Sequence, residues 1–141
     1  MSNNTFHLEI LSPEGMSFDG QVDEVILPTV QGEIAVLPHH APLFTQLAEG
    51  EAIVKHDKKE TSIAILGGFV EVGHGKVTVL SDFAVQADSI QLAKIEEAKK
   101  RAEEILAGKY ANEDFAAAEK ELARAVFSLK IAEKMRRRIR N

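Results

Sequence analysis

Five histidines, His7, His39, His40, His56 and His74, are the side chains best suited to proton transfer or to holding a metal. Only His39 and His40 are neighbours. Adjacent residues of an extended segment point to opposite sides, so the pair is not expected to grip one ion. The chain has no cysteine, which excludes a thiolate zinc site, a disulfide framework and a cysteine nucleophile. No Gly-x-Ser-x-Gly elbow presents a serine, and no Gly-x-x-x-x-Gly-Lys-Ser/Thr run cradles a phosphate. Gly67-Gly68 follows an apolar run but lacks a third glycine and a crossover helix, and reads as a turn. The carboxylates of Asp23-Glu24, Glu96-Glu97 and Glu103-Glu104 are adjacent pairs, and the helical ones suit solvated faces. No acid–base or nucleophilic constellation is readable, so the chain is not expected to be an enzyme by itself or to hold a metal. The remaining cluster is Arg136-Arg137-Arg138-Ile139-Arg140. It has no interleaved aromatic residues and belongs to an acidic chain, so an acidic protein surface is a better partner for it than a nucleic acid.

These residues lie in a chain of 141 with a formal net charge of −5, 45% apolar and 28% charged. That is the composition of a globular protein rather than a disordered one. No apolar run reaches the roughly 20 residues that span a bilayer. Met1-Ser2-Asn3-Asn4 lacks the basic start and apolar stretch of a signal peptide. The cytosol, or the cytoplasmic side of a membrane, is the expected compartment. The charge is divided unevenly. Residues 1–88 carry 4 basic and 13 acidic side chains, and residues 89–141 carry 13 and 9. The net charges are −9 and +4, which predicts partners of different sign for the two parts.

The hydrophobic period changes at the same place. Thr5-Phe6-His7-Leu8-Glu9-Ile10 and Lys76-Val77-Thr78-Val79-Leu80 alternate, as strands with one wet face do. Ile34-Ala35-Val36-Leu37 and Ser62-Ile63-Ala64-Ile65-Leu66 are continuous apolar runs and read as strands covered on both faces. Turn chemistry appears at Ser12-Pro13-Glu14-Gly15, Asp19-Gly20, Gln31-Gly32, Glu49-Gly50, Asp57-Lys58-Lys59-Glu60, Gly67-Gly68 and Gly73-His74-Gly75. Many short strands of this kind predict an antiparallel sandwich or barrel over residues 1–87. From residue 88 the spacing becomes helical. Asp88 is the expected N-cap with Gln91 as its capping-box partner, and Gly108 is the expected terminator. Asn112 is the expected cap of a second helix, with Phe115, Ala118, Leu122, Ala125/Val126, Leu129 and Ala132 as its apolar seam. A short connection makes the two helices an antiparallel hairpin over 88–141. Alanine buries little area, so the hairpin core is thin and its packing is expected to be conditional.

Three stretches stand out together: Gly32-Glu33-Ile34-Ala35-Val36-Leu37-Pro38-His39-His40-Ala41-Pro42-Leu43, then Gly67-Gly68-Phe69-Val70-Glu71-Val72 with Val77-Thr78-Val79-Leu80-Ser81-Asp82, and Ala98-Lys99-Lys100-Arg101-Ala102-Glu103-Glu104. In this order they resemble the epsilon subunit of F-type ATP synthases. The resemblance implies an α+β chain: an N-terminal antiparallel β-sandwich of about ten strands followed by a C-terminal antiparallel helical hairpin. It implies a non-catalytic rotor subunit of the central stalk, bound to the gamma subunit and seated on the ring of c subunits. The helices would leave the sandwich and extend toward the catalytic alpha and beta subunits, inhibiting ATP hydrolysis. By position, Ser12, Glu33 and His40 would face the c ring. Arg124, Lys130, Lys134, Arg136, Arg137 and Arg138 would face acidic segments of the catalytic head. The resemblance places the subunit peripherally on the cytoplasmic face of a bacterial plasma membrane, associated with the membrane only through the complex. The absent transit peptide favours that source over an organelle.

One departure stands out. Many relatives bind ATP through Ile/Leu-Asp-x-x-Arg-Ala at the start of the first helix. That motif falls here on Ile90-Gln91-Leu92-Ala93-Lys94-Ile95. Gln91 lacks the charge, Lys94 lacks the planar fork that grips phosphate, and of the basic groups only Arg101 is kept. Feeble ATP binding or none is expected, and no cofactor. A generic β-sandwich adaptor with a helical arm would show the same periodicities.

Overall fold

A computed structural model describes residues 4–110 and 113–140 of the chain. It divides into two compact units, Met1–Gln86 and Ala87–Asn141.

The first unit contains, among the described residues, strands β1 (Phe6–Ser12), β2 (Gly15–Val22), β3 (Glu24–Thr29), β4 (Gly32–Val36), β5 (Leu43–His56), β6 (Lys59–Gly73), β7 (Lys76–Leu80) and β8 (Ala84–Gln86). They form one sheet in the order β2-β1-β7-β6-β5-β3-β4, with β8 on β6. Eight strands therefore replace the expected ten or so. Asp19-Gly20, Glu49-Gly50 and Gly67-Gly68, expected as turns, lie inside strands. Asp19 pairs with Glu9, Gly50 with Ile65, and Gly68 with Leu47. At two of these sites the glycine serves a close approach rather than a reversal. A Cβ on Gly50 would come within 2.9 Å of Pro28 Cβ, and one on Gly68 within 2.7 Å of Ser81 Cα. As a result β5 and β6 run on for 14 and 15 residues. The free edge of β6 is taken by β8 at Ile63–Ile65 and by β7 at Phe69–Gly73.

The sheet is also not wholly antiparallel. β1 and β7 pair in parallel, from His7 opposite Lys76 to Leu11 opposite Leu80. Parallel neighbours need a long connection, and five strands supply it here in place of a helix. The sheet folds over on itself. β2 reaches β8 through Ser17, whose hydroxyl donates to the Ala84 carbonyl (2.7 Å) and whose own carbonyl accepts from Gln86 Nε2 (2.8 Å).

Alternation decides what is buried. Phe6, Leu8 and Ile10 of β1, Val25 and Leu27 of β3, and Val77 and Val79 of β7 share one core. Each such side chain contributes about 1.5–3 kcal/mol of transfer free energy. Ile63, Ala64 and Ile65 are all fully buried, as expected of a strand covered on both faces. The run Ile34–Leu37 is not. Only Val36 is buried there, because β4 is an edge strand with β3 as its sole neighbour in the sheet order.

The second unit holds a 3-10 turn (Ala87–Ser89), helix α1 (Leu92–Leu106) and helix α2 (Phe115–Arg140). Asp88 does not cap α1. The Ile90 amide bonds back to the Ala87 carbonyl, so the chain makes a 3-10 turn first. Gln91 then stands at the cap with an extended backbone and no side-chain bond. At the other end Gly108 (φ +80°) closes a Schellman motif. Its amide donates to Ile105 and that of Lys109 donates to Glu104, at 3.0 and 3.1 Å. Asn112 lies outside the described residues. Asp114 caps α2 instead, accepting from the Ala117 amide at 3.2 Å. The hairpin core is small: Ala102, Ile105 and Ala118, flanked by Leu106 and Leu122. The expected seam of α2 is displaced in part. Phe115 and Val126 are exposed, while Ala125, Phe127, Ser128 and Ile131 are buried. Apolar residues surround α2 near residue 127, and spacing alone does not select the inward set.

Candidate interaction surfaces

Strand pairing assigns each residue of the first unit to a face. The row Thr45–Val70–Val79–Ile10–Phe18 points inward. The next row, Gln46–Phe69–Leu80–Leu11–Met16, therefore points outward. Four large apolar side chains lie exposed on that outer face: Phe44 (66%), Leu80 (56%), Met16 (50%) and Phe69 (46%). Phe44 stacks on Phe69 with centroids 5.6 Å apart and planes 16° from parallel. Contiguous exposed apolar area of this kind marks an interaction site. A signal was present in the sequence: at Phe44, Phe69 and Leu80 an apolar side chain takes a solvent-side position of an alternating strand.

The other half of the same face is ionic. Lys76 Nζ lies 2.6 Å from Glu9, and His7 Nε2 lies 2.8 Å from Asp19. The hydrogen bond from Lys76 lowers the Glu9 carboxyl below its ordinary value and raises Lys76 in turn. Two groups bring ligand-type atoms within 4.8 Å of one another: His7 with Glu9 and Asp19, and Asp23 with His56 and Asp57. In the first, Lys76 already neutralises Glu9. In the second, Asp23 accepts the Asp57 amide at 2.9 Å. Both are surface clusters of polar and charged side chains. Neither was visible from spacing, because strand pairing assembles them.

Ser12, Glu33 and His40 stand at three separate places along the chain. Ser12 ends β1, and its hydroxyl donates to Glu14 at 3.1 Å. Glu33 is exposed beside the β3–β4 turn, whose Val30 amide reaches the Gln46 carbonyl at 3.1 Å. His40 lies between β4 and β5 with Nδ1 2.7 Å from the Ala41 carbonyl. No hydrogen bond or ion pair among the described residues joins the three. Ser12 and the β3–β4 turn do flank the Gln46–Phe69–Leu80–Leu11 row, and so border the apolar stripe.

In the second unit, Lys94 and Arg101 line one open groove with Glu97, Lys100, Glu104, Tyr110 and Glu121. Ile90 and Gln91 do not line it. Arg101 is already engaged: a guanidinium nitrogen lies 3.3 Å from Glu113, and its carbon sits 5.4 Å above the Tyr110 ring. The Tyr110 hydroxyl donates to Glu104 at 3.0 Å, which raises its pKa. On α2, Lys130, Lys134, Arg136, Arg137 and Arg138 are exposed and Arg124 is half-buried. Arg137 pairs with Glu133 at 2.7 Å.

Residues 5–87 match the family model described as ATP synthase, Delta/Epsilon chain, beta-sandwich domain. The chain belongs to that family. The ATP synthase epsilon chain of Dehalococcoides mccartyi is 46% identical over 131 residues, 92% of this chain and 94% of its own length. That of Alkalilimnicola ehrlichii is 40% identical over 136 residues, covering 96% and 97%. These alignments extend the likeness through the helical unit, beyond the end of the family model. Among solved structures, a chain of the Euglena gracilis mitochondrial ATP synthase F1/c-ring assembly matches with a TM-score of 0.61 at 22% identity, over 96% of this chain and 82% of its own. A chain of the Tetrahymena thermophila central stalk/c-ring matches at 0.55 and 14%, covering 94% and 99%; both show the shared fold. As an epsilon-family member, the chain is a non-catalytic subunit of the F-type ATP synthase, a membrane-associated complex. No helix among its described residues is long and apolar enough to cross a bilayer.

Proposed function

We propose that this chain works as the epsilon-type rotor subunit of the central stalk, coupling ion flow through the membrane ring to ATP synthesis. The sandwich unit binds the gamma subunit and sits on the c ring. The helical unit restrains ATP hydrolysis by engaging the catalytic alpha and beta subunits. The observation that carries this reading is the exposed apolar stripe Phe44–Phe69–Leu80–Met16 within the family-matched unit. A row of neighbouring apolar side chains left exposed to water calls for a partner, and gamma is the partner assigned to it. Ser12 at the end of β1, Glu33 beside the β3–β4 turn and His40 between β4 and β5 supply polar contacts to the ring. The complex lies at the cytoplasmic face of a bacterial inner membrane, a source consistent with the organisms of the curated relatives.

ATP does not set the position of the helices in this reading. Gln91 and Lys94 replace the charged pair of the nucleotide motif. Arg101 is held by Glu113 and Tyr110, and the groove mixes three carboxylates with three cationic side chains.

The test is the double variant Phe44→Asp, Phe69→Asp in the reconstituted enzyme. Loss of the subunit from the purified complex, with collapse of ATP-driven ion pumping, is expected. Full retention and normal coupling would overturn the reading and favour a generic adaptor.

A further inference from the structure

Serine 128 stands near the middle of α2 and is 1% exposed. Ala125 and Ile131, one turn away on either side, are buried as well, as is its neighbour Phe127. A serine inside a helix ordinarily returns its proton to the carbonyl one turn back, or points to water. Ser128 does neither. Its hydroxyl oxygen is fully covered and has no hydrogen-bond partner among the described residues. A buried hydroxyl without a partner forfeits the bonds it made to water, and it regains them as soon as the helix leaves its packing.

We propose that Ser128 is a built-in bias against the packed state of the helical unit. The hydroxyl destabilises only the state in which α2 is covered. Any arrangement that exposes this face of α2 rehydrates it. The hairpin core of Ala102, Ile105, Ala118, Leu106 and Leu122 is thin, so one unpaired hydroxyl shifts the balance substantially. This deepens the reading of the helical unit as a regulator of hydrolysis and rests on it. It names the side chain that keeps the packed state marginal, so that neighbouring subunits can capture the released helices.

The experiment uses the full chain and amide hydrogen exchange along α2. Ser128→Ala removes the unpaired group and loses almost no packing. Exchange of the buried α2 amides should slow about tenfold, the equivalent of about 1.4 kcal/mol. Alanine is also the better helix former, by roughly half a kcal/mol or about twofold. The exposed position Ala123 measures that contribution: Ala123→Ser should speed exchange by about that twofold alone. Ser128→Cys, slightly larger and with a weakly polar thiol, should recover most of the slowing while keeping a heavy atom in the place of the hydroxyl. Slowing by no more than the Ala123 control would overturn the inference. The same variants in the reconstituted enzyme separate it from the reading beneath it. Slower exchange with raised hydrolysis supports both. Slower exchange with unchanged hydrolysis leaves the hydroxyl's effect standing and overturns the claim that released helices inhibit.

Discussion

At the scale of the residue, Gly67-Gly68 was readable as punctuation but not as the kind it is. Both have positive φ, +75° and +113°, as a turn would require, yet they bend β6 without ending it. Their surroundings differ and predict different costs. A Cβ at Gly67 meets nothing closer than Asp82 Oδ2 at 3.8 Å, whereas one at Gly68 drives into the Leu80–Ser81 backbone. Gly67→Ala should cost about 1–2 kcal/mol in urea denaturation, the backbone term alone. Gly68→Ala should cost about 3 kcal/mol or more, because steric overlap with a main chain adds to it. Equal costs would refute the close-approach account. The Glu9–Lys76 contact was hidden from sequence because parallel pairing of β1 with β7 creates it. Glu9 has a folded pKa below the ordinary 4.5. Its contribution is therefore complete above the unfolded value and lost as pH falls through the folded one. The urea midpoints of wild type and Glu9→Gln should differ at pH 6, draw together progressively as pH falls below 4.5, and converge in about 1 M salt. A difference unchanged by both acid and salt would remove the ion pair as its cause.

At the scale of the element, what period and punctuation carry was legible: a strand-rich part, then two helices, with Gly108 at the end of the first. What depends on partners was not. Asp88 has the right chemistry for a cap, but the amide of Ile90 claims the Ala87 carbonyl and moves the start of α1 to Leu92. Ile34–Leu37 has the apolarity of a central strand and occupies an edge, a position set by neighbours the local pattern does not name. The nucleotide motif is a further case. Its substitutions were visible in sequence, but the engagement of Arg101 by Glu113 and Tyr110 needed the hairpin turn to be built. An ATP molecule in that groove would have to displace both contacts and face Glu97, Glu104 and Glu121. Titration of the chain with Mg-ATP by calorimetry should show no saturable heat at millimolar nucleotide. A ligand present at 100 times its dissociation constant would stabilise its bound state by ~2.7 kcal/mol, so tight binding would also appear as a marked rise in thermal midpoint. Either result would restore nucleotide control of the helices.

At the scale of the whole molecule, the uneven charge is the property that sequence reports best, since it needs no contacts. The acidic sandwich part and the basic helical part would attract surfaces of opposite sign, and the exposed Lys130, Lys134, Arg136, Arg137 and Arg138 concentrate the positive charge toward the end of α2. Arg137 spends part of its charge on Glu133, but an exposed pair four residues apart is easily exchanged for a better one. Reversing Arg136, Arg137 and Arg138 to Glu takes residues 89–141 from +4 to −2. If these arginines grip acidic segments of the catalytic head, the triple variant should raise ATP hydrolysis by the reconstituted enzyme toward the rate of a complex whose subunit lacks residues 89–141. Assembly should be unaffected, because the sandwich unit and its apolar stripe are untouched. The relief should be largest at low ionic strength, since screening over about 10 Å at 0.1 M salt weakens the wild-type contact itself. Hydrolysis that stays at the wild-type rate, when the truncation releases it, would show that the helices inhibit by occupying space rather than by charge, and the basic end of α2 would lose its assigned role.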